Sequence, residues 1–147
     1  MTATVLRRDA AQDTLDAYQG QVFAWGRRDC IRMAAHTLKA LGYKPRLSRG
    51  GYYKTALGAR KALKRAGFDT IEAALDGLGL GRVPYAFAMP GDIVALPSAE
   101  DWPALGVVVA PGRVLAFSPH DGLCRLCAPA AEDIKITWSA PPCRKPR

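Results

Sequence analysis

Histidine is nearly absent from this chain, with two in 147 residues, and cysteine is sparse, with four. Imidazole chemistry is therefore confined to His36 and His120, and a disulfide-dense scaffold is excluded. No window approaches the ~18 uncharged apolar residues of a membrane span. The opening MTATVLRRDAAQD also lacks the apolar stretch of a secretion signal. These absences point to a soluble product made in a cytoplasm, where thiols stay reduced and cysteines are free, metal-bound or catalytic rather than paired. What is present is ordinary globular material, 49% hydrophobic. A chain of this length buries roughly 68–70% of its unfolded surface, enough for a core without staples. Wholesale disorder and a multidomain enzyme are both excluded.

Acid is short as well, 13 Asp plus Glu against 21 Lys plus Arg, for a formal net charge of +8. The excess sits in the first half: residues 27–65 hold twelve basic groups and one acid, Asp29, while residues 66–147 hold seven basic and nine acidic groups. Such a surface suits a polyanion or an acidic protein, and equally the solvated faces of helices, with Lys54, Lys61, Lys64 and Arg65 on one outer side. No zinc finger, recognition-helix pair or base-stacking set accompanies the charge, so no specific nucleic-acid partner is expected.

Apolar spacing predicts a first helix over residues 9–19, ending at Gly20. A second starts at an Asp29 cap, carries Cys30, Ala34, Leu38 and Leu41 on one stripe, and stops at Gly42 and Pro45. After a Gly-, Arg- and Tyr-rich loop over 44–53, Thr55 caps a third helix running to Gly67, and Asp69 a fourth running to about Leu78. From Pro90 the pattern changes to short β-favouring runs: Ile93–Leu96, Leu105–Val109, Val114–Phe117, Leu123–Cys127 and Ile134–Trp138. Pro111-Gly112 and Asp121-Gly122 mark turns between them. Helices followed by a mostly antiparallel sheet make an α+β domain over residues 1–140, with 141–147 an irregular C-terminal arm.

Cys30 follows a capping Asp at a helix start, where free N–H groups and the helix dipole stabilise a thiolate. The same stripe position suits a packed core thiol. His36, six residues on, points about 240° away at 100° per residue. His120 lies in the Ser118-Pro119-His120-Asp121-Gly122 turn and reaches Cys30 only if that loop folds over it. Cys124 and Cys127 form a CxxC, with Cys143 further on, three soft ligands that suit zinc or an iron–sulfur cluster. In an extended strand the first two project to opposite faces, which favours free thiols. Trp25, Tyr52, Tyr53, Trp102 and Trp138 are core or groove-lining candidates.

The string Phe23-Ala24-Trp25-Gly26-Arg27-Arg28-Asp29-Cys30, then Arg49-Gly50-Gly51-Tyr52, Pro90-Gly91-Asp92-Ile93-Val94, Ala104-Leu105-Gly106-Val107 and Asp121-Gly122-Leu123, resembles the NlpC-type papain-like cysteine peptidases. It is closest to the small NlpC-like proteins of bacteriophage tail modules, and the likeness spans roughly residues 18–138. The resemblance implies a papain-like fold with helices before a sheet or half-barrel, Trp25 beside the cysteine, and the Tyr of the Arg-Gly loop near the cleft. It also implies Cys30 as nucleophile on peptidoglycan amides, with a His at or near Ala104 and a polar residue near Val114 to Ala116. Neither Ala104 nor Leu105 accepts a proton, and the polar partner is not evident, so the triad fails at two of three positions.

The reading that accounts for most of these features is a structural protein of a phage or phage-like tail tip or baseplate, carried in the virion. Its peptidase site is degenerate, it needs no cofactor, and it docks hub or distal tail neighbours through Trp25, Arg49, Tyr52 and Tyr53. An alternative is an active cysteine peptidase or amidase opening host peptidoglycan, with Cys30 as nucleophile, the Asp29 helix start lowering its pKa, and His120 as base. A third is a metal-binding assembly module using Cys124, Cys127 and Cys143.

Overall fold

The computed structural model describes residues 2–45 and 53–143. Among these residues four helices come first: α1 (Ala3–Tyr18), α2 (Cys30–Ala40), α3 (Ala56–Arg65) and α4 (Ile71–Asp76). Each opens on a side-chain cap that satisfies a free N–H: Thr2 accepts from Val5 N, Asp29 from Arg32 N, Thr55 from Gly58 N and Thr70 from Ala73 N. Two helices differ in their bounds from the sequence expectation. Helix α1 begins at Ala3 rather than residue 9, because Thr2 caps it upstream of the apolar positions that periodicity detects. Helix α4 is capped by Thr70 rather than Asp69, and it stops at Asp76 rather than near Leu78.

Six strands follow among the described residues: β1 (Gly81–Val83), β2 (Ile93–Leu96), β3 (Ala104–Ala110), β4 (Arg113–Phe117), β5 (Cys124–Cys127) and β6 (Ile136–Ser139). They form one antiparallel sheet in the order β1-β6-β2-β3-β4-β5, open at β1 and β5. The chain is therefore α+β, as its pattern of helices then strands predicts. Strand β1 escapes sequence reading because it is three mostly exposed residues between Gly79 and Pro84, with no alternation to detect. Strand β6 starts at Ile136 rather than Ile134, after a 3-10 turn over Ala131–Asp133. Between β3 and β4, Ala110 pairs with Arg113 across a Pro111-Gly112 turn whose glycine has φ +71°.

Both faces of the sheet are covered, which is why its strands read as apolar runs rather than alternations. One face, with Ile93, Ala95, Leu105, Val107, Leu115 and Trp138, packs against Ile31, Met33, Ala34, Leu38 and Leu41 of α2 and its end. The other, with Val94, Leu96, Val108, Val114 and Ala116, lies under Tyr85, Ala88 and Ile134. Gly106 belongs to that second face, where a Cβ would come within 2.6 Å of Val114 Cγ1.

Buried polar residues fix the helices to this frame. Thr14 of α1 and Thr37 of α2 share a hydrogen bond of 2.7 Å. The Arg7 guanidinium of α1 meets the Asp92 carboxylate at 2.6 Å and also donates to Pro90 O, while Asp92 accepts from Met89 N and Ala140 N. With every acceptor oxygen engaged, this buried pair meets the condition under which burial of two charges is sustained. It ties α1, the turn before β2 and the end of β6 to one carboxylate. Past β6, Pro141–Cys143 is irregular yet held: Tyr43 Oη donates to Pro141 O at 2.6 Å and Cys143 N to Leu41 O at 2.7 Å.

Candidate functional site

Cys30 sits at the first position of α2, and the segment before it is shaped to put it there. Residues 20–24 run beside the start of β5, with Cys124 N donating to Gln21 O, Gly20 N to Cys124 O and Phe23 N to Gly122 O. The chain then turns tightly, Ala24 and Arg28 exchanging backbone hydrogen bonds of 2.9 Å. Gly26 lies inside this turn with φ +80°, and a Cβ there would stand 1.8 Å from Tyr53 O. Only glycine tolerates both the dihedral and the contact. Asp29 is fully buried and its carboxylate accepts three hydrogen bonds: Gly26 N at 2.8 Å, Arg32 N at 2.8 Å and Tyr53 Oη at 2.7 Å. The Trp-Gly-x-x-Asp-Cys string is thus a self-closing bracket that orients the helix start.

Beside Cys30 lies a groove of about 360 Å³. Phe23, Trp25, Trp102 and Phe117 supply its aromatic surface, and Leu105, Pro103 and Pro119 add to its apolar lining. Trp25 and Trp102 stack with centroids 6.1 Å apart at 29°, and Phe23 contacts Trp25 and Phe117 edge-on at 4.8 and 5.3 Å. The polar lining is slight: Ser98, Glu100, Ser118 and the Cys30 thiol.

Opposite the thiol is the start of β3. The alternation of the strand turns Leu105 into the core that α2 covers, while Ala104 also packs with the far-side cluster, and both line the groove beside Cys30. The backbone of Leu105, with that of Cys30 and Ile31, favours the thiolate. On β4 the inward residues are Leu115 and Phe117, both apolar. Among the described residues, no histidine lines the groove. The expectation that the helix start lowers the Cys30 pKa is corrected here: burial dominates and, with the Asp29 charge adding to it, pushes the thiol up to about 11 against the opposing influence of the backbone.

The other candidates are dispersed. His120 is exposed in the β4–β5 loop, and its neighbours Pro119 and Ser118, not its ring, line the groove. His36 pairs with Asp13 at 3.0 Å and touches Tyr18 edge-on, away from the thiol. Tyr53 is 5% exposed and acts as a strut on Asp29 rather than as an exposed contact residue. Arg49 and Tyr52 lie outside the described residues. Cys124 is buried with its sulfur 3.7 Å from Met33 Sδ, Cys127 is exposed and donates to Val114 O, and Cys143 lies by Leu41. Among the described residues no three His, Cys, Asp or Glu side chains are grouped to hold a metal, so the three cysteines are not brought together. No described helix is long and apolar enough to cross a membrane.

Sequence reasoning missed two features of this region. Phe117 and Phe23 are groove walls, visible only once β4 and residues 20–24 are placed. Arg32, His36 and Lys39 recur at i, i+4 and i+7 on α2, a stripe that could have been found by counting, and with Arg27 they line a second pocket. No curated protein matches this sequence. The chain belongs to the family described as Domain of unknown function (DUF6950), whose model matches residues 6–139.

Proposed function

We propose that the chain is a structural component of a bacteriophage or phage-like tail tip or baseplate, made in the host cytoplasm and carried in the virion. It is built on an NlpC-type papain-like fold with a degenerate peptidase site. Its role is tail assembly, through docking on neighbouring tail proteins. The family likeness comes from the order of motifs, now with a physical reason behind two of them: the Gly26–Asp29 bracket and the Asp92 junction. The non-hydrolytic reading rests on one observation. The residues of β3 that line the groove with Cys30 are Ala104 and Leu105, so the thiol has aliphatic neighbours where an acid–base partner would be required.

Such a groove is better suited to holding than to cutting. Its stacked tryptophans and phenylalanines offer the aromatic surface that interfaces favour. An apolar or aromatic segment of a neighbouring tail protein fits that lining. The competing reading, a peptidase that opens peptidoglycan, draws on Cys30 at the start of α2 beside the groove.

One pair of assays separates them. Peptidoglycan incubated with the protein or with Cys30→Ala stays intact in both cases, while Trp102→Ala, but not Cys30→Ala, lowers incorporation into assembled tails. Hydrolysis by the native protein that disappears in Cys30→Ala overturns the structural reading in favour of the peptidase.

A further inference from the structure

A second pocket, of about 250 Å³, opens along α2. Ile31 lines both it and the groove. Its polar lining is cationic and phenolic: Arg27, Arg32, His36 and Lys39 with the rings of Tyr18 and Tyr53. No carboxylate lines it among the described residues. The acids nearby are already engaged, Asp29 by Tyr53 Oη and two backbone N–H groups, and Asp13 by His36.

Arg32 marks what this pocket lacks. Its guanidinium lies over the Tyr53 ring, 5.7 Å from the centroid, and its Nε is buried with no hydrogen-bond partner among the described residues. A buried N–H on a charged group is unfavourable unless an acceptor meets it. Guanidinium N–H groups match the oxygens of a phosphate in spacing and charge, and Lys39 and Arg27 add charge from exposed positions.

We propose that this pocket binds the phosphoryl group of a phosphomonoester. Arg32 is the central ligand, Lys39 and Arg27 neutralise the dianion, and the ester's organic part lies against Ile31 and the tyrosine rings. The proposal is independent of what the groove does.

The test is titration of the full chain with inorganic phosphate and with phenyl phosphate at constant ionic strength, followed by amide NMR shifts with chloride as control. Saturable shifts confined to residues around Tyr18, Arg32 and His36, tighter for phenyl phosphate, are expected. Arg32→Gln weakens binding by about tenfold or more, as loss of a charge-assisted contact should. Lys39 is exposed, so Lys39→Gln leaves the fold intact and decides the matter by a smaller weakening if Arg32→Gln fails to fold. Equal affinity for both ligands overturns the ester assignment. Absence of saturable binding, or binding indifferent to these substitutions, overturns the site.

Discussion

Leu105 at the start of β3 and Cys30 at the start of α2 line the same groove, and the Leu105 side chain packs into the core that α2 covers. A strand start therefore stands beside the thiol but brings no proton acceptor. Replacing Leu105 by His supplies one. Leu105→His should raise the thiolate fraction of Cys30 at neutral pH, read as ultraviolet thiolate absorbance that disappears in Leu105→His/Cys30→Ser. An unchanged Cys30 titration in a folded Leu105→His protein would show that the two positions do not face each other.

The Gly26–Asp29–Tyr53 bracket should dominate the stability of this region. Asp29→Ala leaves two backbone N–H groups and a phenol unsatisfied in a buried setting, at a cost of about 3 kcal/mol or more. Tyr53→Phe removes one donor and should cost about 1–2 kcal/mol. Gly26→Ala combines a left-handed dihedral with a collision against Tyr53 O, and should be at least as damaging as Asp29→Ala. Urea denaturation gives the order; equal, small effects across the three would contradict the bracket.

Much of this arrangement is legible in the sequence. Asp29 and Thr55 announce their helices because a cap is a local event, settled within four residues. The β runs from Ile93 onward are visible because both sheet faces are buried and the strands are apolar throughout. What is not legible depends on contacts between distant segments. Whether Ala104 or Leu105 turns into the core that α2 covers is a matter of strand register, fixed by pairing of Ala95 with Leu105 and Leu96 with Ala104. That a helix-start thiol is pushed up rather than down depends on how deeply distant segments bury it, which no local motif records. Tyr53 sits in a loop whose composition suggests exposure, yet its hydroxyl is drawn inward by Asp29, 24 positions away.

Two thiols tie stability to alkaline pH. Burial pushes Cys30 up to about 11 and Cys124 up to about 12, each from an ordinary value of 9.0. The folded state then holds protons that the unfolded chain releases, so stability is complete below about pH 9 and falls as pH rises toward the folded values. Melting temperature should decline between those limits, and Cys124→Ala, although less stable at neutral pH because of the cavity it leaves, should flatten the decline. A profile unchanged in slope by that substitution would mean the thiol is not buried in its neutral form.

The account depends most on the state of Cys30. Alkylation of the folded protein as a function of pH, read cysteine by cysteine by mass spectrometry, measures it directly. Cys127 and Cys143, both exposed, should react first, while Cys30 stays slow through neutral pH and accelerates only as the solution approaches pH 11. Fast alkylation of Cys30 with an apparent pKa well below the ordinary value of 9.0 would contradict the account, because it would mean an activated nucleophile in the groove.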